Sequence, residues 1–350
     1  MAPYIYILSL SGLLALSSIL INSKKYAHFF ILFLFTITAF FIGFRHEEIG
    51  PDWHTYKELF LNMSNLNFLH SLSIGDPGYF SIMWLLRYTG HDVISLNILF
   101  AVLTVAFYTK FCSQQKLPYL AFYIGLPFLI IYAMNFPRQS IAMVIGSCAL
   151  IHILNDNKSR AFLWILLAVL FHKTAIIYLA FLISNIKKIN IFHTFLIFIA
   201  GILIFYFFIL THLSGYIFNF SKLMHSNAAH LKGMVYLLPV LLYLIFYKPV
   251  SHSLSFEEST MLNRFSVLCI ISYVALFTSA FLYNAIDRIY VYFLPFEIMI
   301  FATFIAQNIK SDQMLYYVLP LIFYKFLLFY IWLEFSFNSS HFVPYSLHNI

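Results

Sequence analysis

The feature that most constrains this chain is a series of apolar runs, each near 20 residues long, separated by short stretches where lysines and arginines collect. A helix rises 1.5 Å per residue, so about 20 residues cross the roughly 30 Å of hydrocarbon in a bilayer. Ten such runs are read, at approximately 3–21, 28–44, 92–111, 117–134, 138–154, 189–211, 233–248, 264–283, 289–307 and 314–333. Only 9% of the 350 residues are charged and 62% are hydrophobic, which leaves too little polar surface to wet a soluble fold. The expected fold is all-α, a polytopic transmembrane helical bundle forming a single integral membrane domain over 1–350. Residues 1–21 lack a basic leading region and place Lys24 and Lys25 after the apolar stretch, so the first span is expected to stay in the membrane rather than be cleaved.

Orientation follows from the basic residues. Lys24/Lys25, Lys110/Lys116, Lys158/Arg160, Lys187/Lys188, Lys248 and Lys310 fall on one side of the ten spans, and the positive-inside rule makes that side cytoplasmic. Both termini are then expected outside the cell. Two segments do not fit a simple count. Residues 78–90 are too short to cross and contain Arg87; they are read as a half-helix on or in the outer leaflet. Residues 161–186 are flanked by inside charges at both ends, so they are read as a re-entrant hairpin with His172-Lys173 at its tip. A charged tip at that depth is costly unless it faces water or an anion.

The outer side receives one long loop, 45–77, and several short turns. The loop opens with Arg45 and runs through Asp52 and Tyr56, and Asp76-Pro77-Gly78-Tyr79 closes it. A second turn carries Asn135, Pro137, Arg138 and Gln139, and Pro137 suits a helix start. A third carries Asn284, Asp287 and Arg288. Arg45, Arg138 and Arg288 are therefore expected to converge on one face, with His172 and Lys173 pointing towards it. Guanidinium groups grip phosphate oxygens through paired hydrogen bonds, and helix N-termini add unpaired N–H groups. The expected ligand is a lipid-linked phosphate or pyrophosphate. The competing reading of each arginine is a snorkelling anchor at a helix end.

Several absences narrow the chemistry. There is no GxxxxGK[ST] phosphate loop, no DxD and no HExxH. His46, Glu47, Glu48 and His54 make a weak metal set that reads better as a solvated loop face, and no metal or cofactor is expected. Cys112, Cys148 and Cys269 each lie in an apolar run without metal or disulfide spacing. The net charge of +7 is spread over short loops, so it reads as a topology signal and not as a nucleic-acid footprint.

At these residues the chain resembles the EpsG family of polytopic membrane proteins, related to the Wzy-type polymerases of bacterial surface polysaccharides. The matching elements are Arg45; Gly50-Pro51-Asp52 with Tyr56 and Phe60; Pro77-Gly78-Tyr79; Asn135, Arg138, Gln139 and Ile141-Ala142; Phe171-His172-Lys173-Thr174-Ala175; Arg288 with Tyr292; and Pro344-Tyr345. They lie in family order over residues 45–345. One departure is Asp76, where the family more often has Glu.

The resemblance implies polymerisation of undecaprenyl-pyrophosphate-linked oligosaccharide repeat units on the outer face of the bacterial cytoplasmic membrane, yielding O-antigen, capsule or exopolysaccharide. A chain-length regulator is the candidate protein partner. Arg138, Arg288 and Lys173 are then expected to clamp the leaving pyrophosphate, and Arg45 to hold a second one. His172, Asp52 and Asp76 are the candidate bases for the attacking hydroxyl, with His172 ranked first because imidazole titrates near neutral pH. For His172 the other reading is structural, and for Asp52 it is a loop cap or an ion pair to Arg45. Tyr56, Tyr79 and Tyr292, with Asn135 and Gln139, are expected to line the substrate cavity, packing being the default for each tyrosine. A lipid-linked oligosaccharide flippase and a membrane acyltransferase are the alternatives. Against the flippase, no second copy of the long loop or the hairpin follows residue 190.

Overall fold

The computed structural model describes residues 1–21, 27–184, 227–246, 254–278, 283–308, 314–336 and 338–348. Helix makes up most of those residues, no strand occurs among them, and an isolated bridge joins Arg45 to Leu347. The chain is an all-α polytopic helical bundle. Six described helices are long and apolar enough to cross a membrane, and four shorter apolar helices accompany them. These make it a multi-pass membrane protein. The structure falls into two compact units, Met1–Val144 with Ile309–Ile350, and Ile145–Asn308.

In the first unit the long helices are α1 (Ala2–Ile21), α2 (Ala27–Gly43), α6 (Val93–Ser113), α7 (Pro118–Asn135) and the start of α8 (Pro137–Leu154). Between α2 and α6 lie α3 (Trp53–Asn62), α4 (Phe68–Ser73) and α5 (Pro77–Tyr88). Local chemistry sets these boundaries. Asp92 caps α6 by accepting hydrogen bonds from the Ser95 amide at 2.9 Å and its hydroxyl at 2.7 Å. Proline stands at the first helical position of α5, α7 and α8, where its missing N–H costs nothing. The expected half-helix is α5. The expected long loop is largely helical: Trp53, Tyr56 and Phe60 repeat at helical spacing and are the buried face of α3.

The last long helix of this unit is α15 (Met314–Phe335), and the tail beyond it folds back. Tyr4 Oη donates to the Phe342 carbonyl at 2.9 Å, Tyr345 Oη to the Phe41 carbonyl at 2.7 Å, and the His46 amide to the Ser346 carbonyl at 2.9 Å. The start of α1, the ends of α2 and α7, the starts of α6 and α8 and the tail thus share one end of the unit. Consecutive long helices therefore alternate in direction, as successive membrane crossings require.

In the second unit α9 (Lys158–Phe171) stops at His172. A 3₁₀ segment (Lys173–Ile177) and α10 (Tyr178–Ser184) follow. Asn157 caps α9 through the Arg160 amide at 3.2 Å. After these come α11 (Asn227–Ile245), α12 (Phe256–Thr278), α13 (Tyr283–Val291) and α14 (Leu294–Asn308). The expected span at 264–283 begins earlier, at Phe256. The expected continuous span at 289–307 is instead two helices, broken at Tyr292-Phe293. The expected span at 189–211 and the end of the hairpin at 185–186 lie outside the described residues.

Candidate functional site

Arg45 follows α2 and is 2% exposed. Its Nε donates to the Ile49 carbonyl at 3.1 Å, its Nη1 to the Ile42 carbonyl at 2.8 Å and to Asn97 Oδ1 at 2.5 Å, and its Nη2 to the Met134 carbonyl at 3.4 Å. Asn97 Nδ2 donates in turn to the Gly43 carbonyl at 2.5 Å. Together the two side chains satisfy carbonyls that the end of α2 leaves without helical partners. The guanidinium also lies 5.2 Å from the Trp53 ring centre. Burial pulls its pKa down to about 10, which leaves it protonated at neutral pH. A phosphate at Arg45 would have to displace these bonds. The cavity beside it, lined by Arg45, Trp53, Tyr56, Tyr79, Asn97 and Phe100, is about 20 Å³, room for roughly one water and far too small for a sugar.

Gly50 lets the loop turn here. Its φ is +103°, and a Cβ would run into the Met134 carbonyl oxygen.

Arg138 is set differently. Its Nη1 donates to Asp76 Oδ2 at 3.1 Å and its Nε to Tyr56 Oη at 3.2 Å. Its guanidinium lies 5.7 Å from the ring centres of both Tyr56 and Phe80. Asp76 is nearly enclosed, with 6% of its side chain exposed, whereas Arg138 keeps 32%. Its Nη2 has no hydrogen-bond partner among the described residues. The head group is thus oriented by Asp76 and Tyr56 while its side chain stays about one-third exposed, at the first turn of α8. Burial pushes the Tyr56 phenol pKa up, so it remains an O–H that can accept from Arg138. Tyr79 stacks on Phe100 at 4.3 Å and tilts against Tyr56 at 5.7 Å.

Asp52 occupies the N-cap position of α3 without a capping bond from its side chain, and is half-buried. Asn135 and Gln139 are buried at the α7–α8 corner. The Asn135 Oδ1 has no partner among the described residues.

The second unit contains the other expected residues. His172 ends α9 in an extended conformation (φ −160°, ψ 120°), its amide donating to the Ala168 carbonyl at 3.0 Å. His172 and Lys173 are half-buried and Thr174 is enclosed. The Thr174 and Tyr292 hydroxyls hydrogen-bond at 2.7 Å, and Tyr292 meets the Tyr178 ring edge-on at 5.6 Å. This brings the His172-Lys173 tip to the α13–α14 corner, one turn from Arg288. Tyr178 lies so close to α8 that only glycine fits at Gly146.

Lys232 was not singled out from the sequence. It pairs with Asp287 at 2.6 Å, next to Arg288. Its signal was a lysine at the end of a span assigned to the side where the positive-inside rule disfavours it. Among the described residues, no group of three or more His, Cys, Asp or Glu side chains is placed to hold a metal ion.

These features define a polytopic helical membrane protein with an oriented, partly exposed arginine at a helix start. The sequence model of the EpsG family matches residues 6–347, and the chain belongs to that family, one of membrane proteins resembling polysaccharide polymerases. No curated protein and no solved structure matches the chain significantly.

Proposed function

We propose that the protein is a Wzy-type polymerase that joins undecaprenyl-pyrophosphate-linked oligosaccharide repeat units on the outer face of the bacterial cytoplasmic membrane, with both termini on that face. A hydroxyl oxygen of the acceptor sugar attacks the anomeric carbon of the lipid-linked donor chain. The new C–O bond forms as the bond to pyrophosphate breaks, the hydroxyl proton passes to a base, and undecaprenyl pyrophosphate departs. A pyrophosphate leaving group needs charge neutralisation more than a proton.

The observation that supports this reading best is Arg138, held by Asp76 and Tyr56 with about a third of its side chain exposed. We assign Arg138 to the leaving pyrophosphate, with Lys173 and Arg288 adding positive charge. His172 takes the proton. Asp76, engaged with Arg138, is the positioning residue for that arginine and ranks behind His172 as a base. Asp52 remains the third candidate base. Arg45, with its donors spent on four internal acceptors, organises the loop and is not assigned to a second pyrophosphate. Tyr56, backed by Tyr79, supports Arg138, and Tyr292 supports the His172-Lys173 tip; Asn135 and Gln139 remain candidate substrate-lining residues.

The test is complementation of a strain lacking its own polymerase. Wild-type protein restores a ladder of surface polymer, and Arg138→Ala leaves single repeat units on their carrier. Loss of surface units altogether supports the transporter reading instead.

A further inference from the structure

We propose that the exposed face of α4 and α5 seats the isoprenoid chain of the lipid-linked substrate; this rests on the polymerase reading. Three observations lead there. Between Glu58 and Arg87 the sequence carries a single formal charge, Asp76, and that charge is buried against Arg138. The largest exposed side chains on these helices are apolar or aromatic, Leu69 at 77%, Leu85 at 53% and Tyr88 at 74%, with the uncharged polar Ser73 and His70 exposed beside them on α4. Phe68 meets Trp84 edge-on at 5.2 Å and Trp84 stacks on Tyr88 at 4.8 Å, making one aromatic strip across both helices. The Trp84 Nε1–H donates to the Leu66 carbonyl at 2.9 Å, so the indole needs no water.

The second observation is depth. Tyr79 stacks on Phe100, which lies seven residues, about 10 Å, inside the start of the membrane-crossing helix α6. With the α6 span taken from Val93 by its length and composition, the start of α5 lies below the rim of the hydrocarbon, and the one charge of α5, Arg87, stands in its last turn at the other end.

The third is continuity with the anion site. Asp76 precedes α5 and holds Arg138, and the Arg138 guanidinium lies over Phe80, one turn before Trp84. In a polyprenyl phosphate the chain is bonded directly to the phosphate. Phe80 is itself buried, and a phosphate held by Arg138 therefore starts its chain about one helical turn from Trp84, where the exposed aromatic strip begins.

The test uses the full-length protein with a photoreactive benzoylphenylalanine at Leu85 or at Leu69, reconstituted in phospholipid vesicles containing a trace of radiolabelled polyprenyl phosphate. A probe at Phe323, an exposed position on α15, reports ordinary bilayer contact. The expected result is labelling from Leu85 at least fivefold above the molar share of the polyprenyl lipid. It should be competed away by unlabelled polyprenyl phosphate and reduced by Arg138→Ala or Arg138→Gln. Labelling in simple proportion, as at Phe323, overturns the proposal, as does a probe that captures no lipid. The competition arm needs no Arg138 variant, so a misfolded variant does not decide the outcome. If the wild-type protein makes no polymer but the competed cross-link persists, the polymerase reading fails and the isoprenoid seat stands. If polymer forms without the cross-link, the seat alone is wrong.

Discussion

The hydroxyls of Thr174 and Tyr292 lie 2.7 Å apart, both enclosed, and fasten the His172-Lys173 tip to the α13–α14 corner. Removing one hydroxyl leaves the other buried without its partner, at a cost of about 1–3 kcal/mol. Thr174→Val and Tyr292→Phe should each lower the melting temperature in detergent and shorten the polymer. The double variant should lose less stability than the two single losses combined, because no orphaned hydroxyl remains. Strict additivity would show that the bond contributes nothing.

The roles proposed for Asp76 and His172, positioning residue and base, are separable by experiment. Asp76→Asn keeps the shape but removes the charge that orients Arg138, and polymerisation is expected to fall by about ten- to a hundredfold. The pH profile should keep its acid limb. His172→Gln should abolish that limb along with most of the rate. An acid limb that survives in His172→Gln and vanishes in Asp76→Asn would exchange the two roles.

Arg45 and Gly50 are predicted to be matters of folding. Arg45→Lys cannot reproduce a planar fork serving four acceptors, and leaving buried carbonyls unpaired should cost about 3 kcal/mol or more. Gly50→Ala adds a Cβ at positive φ against the Met134 carbonyl and should cost about 1 kcal/mol or more. Thermal unfolding of purified protein checks both. A fully stable Arg45→Lys protein with weakened substrate binding would return Arg45 to the pyrophosphate.

Glu47 accepts a hydrogen bond from Lys57 Nζ at 2.6 Å, which holds its carboxyl below the usual range. A depressed folded-state pKa gives stability that is present above the ordinary carboxylate value and lost as pH falls through the depressed one. The pair is partly exposed, so its contribution is small. Melting temperatures of wild type and Glu47→Gln should differ at neutral pH and converge in acid. A gap that widens on acidification would contradict the sign.

The parts of this fold that are local chemistry were legible in the sequence. Apolar runs near 20 residues marked the long helices and Pro137 marked the start of α8; within 161–186, read as a re-entrant hairpin from its flanking Lys158/Arg160 and Lys187/Lys188, the helix stops at His172. The helix in 53–62 was legible and passed over, since Trp53, Tyr56 and Phe60 carry its period. Two features depend on partners far along the chain and leave no local mark. One is Arg45, whose character as an internal tie is set by Asn97 and Met134. The other is the break at Tyr292-Phe293, where an apolar run reads as one span although Tyr292 turns to meet Thr174.

The most direct test of the polymerase reading is reconstitution. Purified protein in liposomes is given polyprenyl-pyrophosphate-linked repeat units, and the polymer and the freed polyprenyl pyrophosphate are both quantified. The expected result is one polyprenyl pyrophosphate released per linkage formed, with both products lost together in Arg138→Ala. Movement of intact lipid-linked units across the bilayer without any new linkage would contradict the account.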